Sequence, residues 1–292
     1  MDEYLYKSDS ISKPKMKINC KDTNNQTTKG WLENLTLLKT INKAKSFQMP
    51  NKKILEAIFM SKKEVVVKIG NEREDIQKEF TMFEILDNHN IPGISHYFCY
   101  FECAGNLSKI KESQKDICDG TGTGLRVLVM EYIKQGSLAD YNWTLKQKDI
   151  LKSCLKQVVL THYTAFMKCG FIHGDRVTAF HCNNILLKKT NSTKIKYIDD
   201  FEVDIPKNGF KVKLMDFEFS RINGSLVDYY KDLLYGLGSS LHRHILPKID
   251  KHTDSSIFLE ILAYITKLYE QANPTENPKN SVTKLLTLID QI

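Results

Sequence analysis

Apolar positions fall first into short runs and later into long stripes. "KILEAIFM" and "EVVVKIG", separated by "SKK", predict the two strands of a hairpin. In "EDIQKEFTMFEILDNH", Ile76, Phe80, Phe83 and Leu86 recur at helical spacing and predict one helix after that hairpin. "GISHYFCYFEC" and "LRVLVMEYI" predict two further strands, with a polar loop over residues 104–124 between them. Residues 1–30 are rich in Lys, Ser, Asn and Thr, show little periodicity, and predict a loose arm.

Past "KQGSLADY" the pattern changes. "KQKDILKSCLKQVVLTHYTAFMKCG" predicts a long amphipathic helix with Ile150, Leu151, Cys154, Val158, Tyr163 and Phe166 on its apolar face and Gly170 as its C-cap. A strand "NILLKK", a hairpin "KIKYIDDFEVDIPKNG" and a strand "FKVKLMDFEFS" follow. Three helices are predicted in the remainder, from "VDYYKDLLYGLGSSLHRHI", "SSIFLEILAYITKLYEQA" and "SVTKLLTLIDQI", with "NPTENP" connecting the last two. This run order predicts a two-lobed α+β chain. A flexible arm covers residues 1–30, a strand-rich lobe with one helix residues 31–133, and a mainly helical lobe residues 134–292, with a hinge near 131–137.

Composition narrows the class. The 292 residues are 41% hydrophobic and 10% aromatic, as in a soluble globular protein. No apolar run approaches the roughly 18 residues needed to span a bilayer. The start, "MDEYLYKSDS", does not resemble a secretory signal. Seven cysteines, an odd number with no C-x-x-C pair, fit reduced thiols. The expectation is an intracellular protein of cytoplasm or nucleus, without a membrane partner. The net charge is +7, and residues 1–60 hold eleven Lys against six Asp/Glu. Those charges are spread out, and no arginine cluster interleaves with aromatics, so direct nucleic-acid binding is not expected.

Four separated pieces carry groups that phosphoryl transfer needs: a cation for phosphates, oxygen ligands for magnesium, and a carboxylate to accept a hydroxyl proton. The first is "VVVK", ending at Lys68. The second is Glu79, eleven residues on in the predicted helix, with Glu74 and Glu84 as rivals. The third is His173-Gly174-Asp175 with Asn184-Ile185-Leu186-Leu187, and the fourth is Asp216-Phe217-Glu218 at a strand end. A hinge-like "VMEYIKQGSL" stands between the second and third.

Together these motifs resemble the eukaryotic-type protein kinase superfamily. The stretch "NILLKKTNSTKIKYIDDFEVDIPKNGFKVKLMDFEFSR" is similar to haspin-type kinases, which also carry an extended hairpin and an "IP…G" turn before the metal-binding Asp. "DYYKDLLYGL" resembles their next helix, where the Asp at position 232 anchors the catalytic loop. The Lys/Asn/Ile-rich, trimmed chain also resembles kinases encoded by large DNA viruses.

The resemblance implies a protein-kinase-like fold, a small antiparallel-sheet lobe with one helix and a helical lobe, using ATP and Mg²⁺. It implies Asp175 as catalytic base and Lys68 with Glu79 as the nucleotide-side ion pair. Asn184 and Asp216 become metal ligands, and Lys68, Glu131, Ile133, Asn184 and Asp216 line the nucleotide. Its implied acceptor is Ser/Thr of a protein substrate, basic or chromatin-associated. The oligomeric state is left open.

Several departures keep other readings alive. Asp175 and Asn184 lie nine positions apart, and removing residues 176–179, "RVTA", restores the family spacing. No glycine occurs between Trp31 and Lys68, where a phosphate loop normally uses glycine for close backbone approach. Glu218 replaces the glycine after Asp-Phe and would restrict movement of Asp216. Fifteen residues separate Asp216 from Asp232, too few for an activation loop switched by phosphorylation. The alternatives are a pseudokinase acting as a binding or scaffold module, and a small-molecule phosphotransferase.

Overall fold

The computed structural model describes residues 35–40, 53–59, 63–70, 76–102, 126–174, 182–238, 241–248, 256–271 and 277–292. The expected arm, the loop over residues 104–124, Asp175 with the surplus 176–179, and residues 41–52 of the glycine-free stretch lie outside these.

Five strands form one antiparallel sheet: β1 (Leu35–Thr40), β2 (Lys53–Phe59), β3 (Lys63–Gly70), β4 (Tyr97–Glu102) and β5 (Arg126–Glu131), in the order β1-β2-β3-β5-β4. The expected hairpin is β2–β3, in register from Lys53 opposite Ile69 to Phe59 opposite Lys63. Side chains alternate across a strand, so the buried Val65, Val67 and Ile69 share one face of β3. Lys68 shares the other with Val66, opposite Leu128 and Met130 of β5. Helix α1 (Ile76–Asn88) packs on β4 and β5. Its buried stripe is Ile76, Glu79, Met82, Phe83 and Leu86. Met82 therefore takes the core place expected for Phe80, which is half-buried, and a glutamate sits where an apolar side chain would be ordinary.

The rest is mainly helical. Helix α2 (Lys148–Cys169) is closed by Gly170 at φ 62°, ψ 33°, whose amide donates to Phe166 O. It is not the amphipathic helix expected: Ile150 and Phe166 are only half-buried, while Ser153, Gln157, Thr161, His162 and Thr164 are buried with the apolar positions. The helix runs through the middle of this half, and some of its polar groups join it to other segments of the fold. Ser153 Oγ donates to Asp204 O, and Gln157 bonds Phe210 O through Nε2 and Val212 N through Oε1.

Strand β6 (Ile185–Lys189) pairs antiparallel with β9 (Phe210–Leu214), and the short hairpin β7 (Lys194–Lys196) and β8 (Glu202–Asp204) lies between them in sequence. Helix α3 (Leu226–Leu233) starts with a capping box made by Ser225 and Asp228. The single helix expected over residues 227–245 is α-helical only in α3 and continues as π-helical turns at Leu234–Gly238 and Leu241–Ile245. Gly236 and Gly238 fall in the first, where helix preference is weak. Helices α4 (Ser256–Glu270) and α5 (Pro278–Asp290) complete the core; Asn277 caps α5 and Pro278 opens it. No described helix is long and apolar enough to cross a membrane.

Among the described residues, backbone hydrogen bonds join the two halves at two places. Residues between α1 and β4 bind β9, with Ser95 N donating to Leu214 O (2.8 Å) and Leu214 N to Gly93 O (2.7 Å). The segment after β5 binds β6, with Leu187 N donating to Gly136 O (3.0 Å). The strand end that carries Asp216 is thereby held beneath the sheet that carries Lys68.

Candidate functional site

Lys68 is 4% exposed, and its charge is met from two directions in the chain. Its Nζ donates to Glu79 Oε2 at 2.5 Å, to Asp216 Oδ1 at 2.8 Å and to Glu218 Oε2 at 3.2 Å. An ammonium has three N–H donors, and three carboxylates receive them. Burial alone would lower the lysine's pKa. The carboxylates of Asp216, Glu79 and Glu218 outweigh it and hold the group well above its ordinary 10.5. Glu79 is the helix partner; Glu84, one of its rivals, is exposed, and Glu74 lies outside the described residues.

Glu79 is wholly buried, so both of its oxygens need partners. Tyr97 supplies the second, its Oη donating to Glu79 Oε1 at 2.6 Å. The same phenol oxygen accepts from the Asp216 amide at 3.2 Å. Burial and the adjacent Glu79 push the Tyr97 phenol well above its ordinary value, so it remains a donor. One side chain from β4 thus ties α1 to the strand end beyond β9.

Asp216 has φ +67°, in the left-handed region that aspartate tolerates better than most residues. The turn follows β9 directly. Phe217 is fully buried beneath Tyr97 (ring centroids 5.9 Å) and against Phe171 (5.9 Å) and His173 (6.0 Å). Phe83 of α1 continues the stack above Tyr97 at 4.9 Å. An unbroken column of rings joins α1, β4, the Asp216 turn and the loop before Asp175.

That loop is clamped from below. Asp232 accepts from His173 N at 2.5 Å and Gly174 N at 3.1 Å, and faces His162 Nε2 at 3.2 Å. His173 Nε2 lies 3.1 Å from Met215 O, and Ser220 Oγ donates to His173 O at 3.0 Å. Gly174 sits at φ +75°, and a Cβ there would stand 2.6 Å from Phe219 O, so the position requires glycine. Asp175 follows this clamp but lies outside the described residues.

Asn184 ends the turn Cys182–Asn184 and immediately precedes β6. Ile185 pairs with Leu214, and Asn184 O accepts from Met215 N at 3.0 Å, which places Asn184 one residue from Asp216 across the ladder. Glu131 and Ile133 lie at and just past the end of β5. The Glu131 side chain is engaged away from any ligand: Oε1 accepts from His96 N at 2.8 Å, Lys188 bonds Oε2, and Lys213 stands at 3.9 Å. Burial opposes its charge, but Lys213, Lys188 and the His96 amide hold the carboxyl below its ordinary 4.5. The Glu131 amide donates to His96 O at 2.8 Å, and Ile133 O accepts from Gly136 N at 3.2 Å.

Lys68, Glu79 and Asp216 are therefore brought together, with Asn184 alongside. The roles of Tyr97 and His162, and the reach of Glu218 to Lys68, are not in the sequence reading. The glycine-to-glutamate departure marked Glu218, but nothing in a linear pattern marks Tyr97.

Glu79, Asp216 and Glu218 offer carboxylate oxygens within 4.8 Å of one another. Carboxylate oxygens are hard donors of the kind Mg²⁺ takes, and here all three residues point one oxygen at Lys68.

No protein-family model and no curated protein matches the chain. Among solved structures, it is similar to the autoinhibited serine kinase domain of the giant muscle protein titin, at 13% identity and a TM-score of 0.46, over 87% of this chain and 74% of that one.

Proposed function

We propose that the protein transfers the terminal phosphoryl group of ATP to Ser or Thr of a protein, with Mg²⁺ assistance, in the manner of haspin-like kinases. One observation carries the reading. Lys68 and Asp216, 148 residues apart, meet at 2.8 Å with Glu79 completing the group. A cation and a carboxylate so placed suit a nucleotide's phosphates and their metal.

In this reading Lys68 holds the α- and β-phosphates and Glu79, fixed by Tyr97, orients Lys68. The backbone of Glu131 and Ile133 receives the base. Asp216 and Asn184 would hold the Mg²⁺, which neutralises phosphate charge when bound. Asp175 accepts the proton of the attacking hydroxyl as its oxygen bonds phosphorus and the bond to ADP breaks.

The test is label transfer from radioactive ATP to a mixed protein panel, followed by identification of the labelled amino acid. Asp175→Asn is expected to lower transfer at least about 100-fold with an unchanged melting temperature. Unchanged transfer removes Asp175 from the mechanism, and label on tyrosine or a small molecule overturns the Ser/Thr assignment. A binding module without transfer is the second reading. It is favoured by the three carboxylates already surrounding Lys68, and its signature is nucleotide-independent melting.

A further inference from the structure

We infer that the Tyr97 hydroxyl is a pin that holds α1 and the Asp216 turn together in the nucleotide-free chain, and so keeps Lys68 aligned for transfer. The link to turnover rests on the phosphotransfer reading; the pin itself rests on geometry.

Tyr97 is 2% exposed and opens β4 opposite Met130. Its ring is set between Phe83 at 4.9 Å and Phe217 at 5.9 Å. A phenylalanine would fill that place in the column equally well, so packing does not require the oxygen. A buried hydroxyl needs partners, and this one bonds two groups of the site. It donates to Glu79 Oε1 at 2.6 Å and accepts from the Asp216 amide at 3.2 Å. One atom of the sheet half therefore binds both a carboxylate that meets Lys68 and the main chain of another that does so.

Helix α1 meets Tyr97 at two successive turns, through Glu79 on the oxygen and Phe83 on the ring. The wholly buried Glu79 carboxylate divides its bonds, Oε2 to Lys68 and Oε1 to Tyr97. A shift of α1 away from the sheet would break the second, and a bond to a charged acceptor is stronger than a neutral one. Without the phenol, the arrangement with Lys68 centred among its carboxylates becomes less populated. Tyr97 acts through Glu79 and the Asp216 turn and is a positioning residue.

The experiment uses the full-length chain as wild type, Tyr97→Phe, Glu79→Ala and the double variant. Hydrogen exchange of residues 76–83 and 214–218 is followed without nucleotide by mass spectrometry. Tyr97→Phe is expected to speed both segments about tenfold while the β2–β3 hairpin exchanges as in wild type. Glu79→Ala breaks the same bond from the helix side and is expected to speed residues 214–218 likewise. In label transfer, Tyr97→Phe is expected to fall about tenfold, in kcat more than in KM for ATP. The double variant should transfer no more slowly than Glu79→Ala alone, because the hydroxyl acts through that carboxylate. Unchanged exchange over residues 214–218 in both single variants overturns the inference, and so do losses of transfer that multiply in the double variant. If Tyr97→Phe folds poorly, exchange in Glu79→Ala decides. A wild type that transfers no label overturns the phosphotransfer reading, while the exchange result still decides the pin.

Discussion

Asp232 carries a buried negative charge that its surroundings must satisfy. Burial pushes its pKa up, but His162, His173 and the Gly174 amide prevail and hold it below its ordinary 3.8. A carboxyl with a lowered folded pKa binds its proton more readily in the unfolded chain. The stability it adds is thus complete above about pH 5 and is lost progressively as pH falls past the ordinary value towards the lower folded-state pKa. Asp232→Asn should lower the melting temperature at neutral pH and make the decline from about pH 5 to about pH 3 shallower, measured by thermal denaturation across that range. A decline as steep as that of the wild type would place the acid sensitivity elsewhere. At this scale the sequence was legible where spacing sufficed. Lys68 and Glu79 stand eleven positions apart on a strand and the next helix, and they meet. The direction of Glu218 was not legible, because it depends on the turn at Asp216, whose positive φ a linear pattern does not express.

Elements are held in place here by aromatic rings. Phe83 stacks on Tyr97 and also lines a cavity of about 310 Å³ with Ile91, Ile94 and Val212. Cutting it back would enlarge an existing space that the neighbours already fail to close. Phe83→Ala should cost about 3–5 kcal/mol in chemical denaturation. It should also weaken nucleotide binding, since Glu79 lies one turn earlier on the same buried stripe. Phe83→Leu should cost clearly less in both measurements. Equal nucleotide affinity in Phe83→Ala would show that the ring column does not position Glu79. The hairpin β2–β3 and the strands β4 and β5 followed from the apolar runs, because each is largely apolar between polar breaks. Helix α2 was misread for a physical reason. Its buried Ser153, Gln157 and His162 look like a solvent face by composition, yet each bonds another part of the fold.

Across the molecule, the separation of Asp175 from Asn184 exceeds the expected spacing by four residues. The nearest described residues on either side of the surplus are bonded: Gly174 N by Asp232, and Cys182 O by Ala139 N at 3.3 Å. Lengthening a loop between fixed ends costs only a fraction of a kcal/mol. Deleting residues 176–179 should leave the melting temperature within a few degrees of wild type and preserve label transfer. Loss of transfer with the fold intact would give those residues a part in the reaction. The overall architecture could be read from run order, since a strand-rich front and helical back leave few ways to bury both. What could not be read was how the halves are joined, because Ser95, Leu214 and Gly136 make that junction through their backbones.

The stretch from Asp216 to Asp232 is stitched at nearly every step. Ser220 bonds His173, Arg221 and Ile172 exchange two backbone bonds of 2.9 Å, and Gly224 N donates to Gly170 O. A segment so short and so tied offers no slack for a covalent mark to tighten or release. For phosphotransfer by this chain, turnover without a prior covalent change in this segment is the expected outcome.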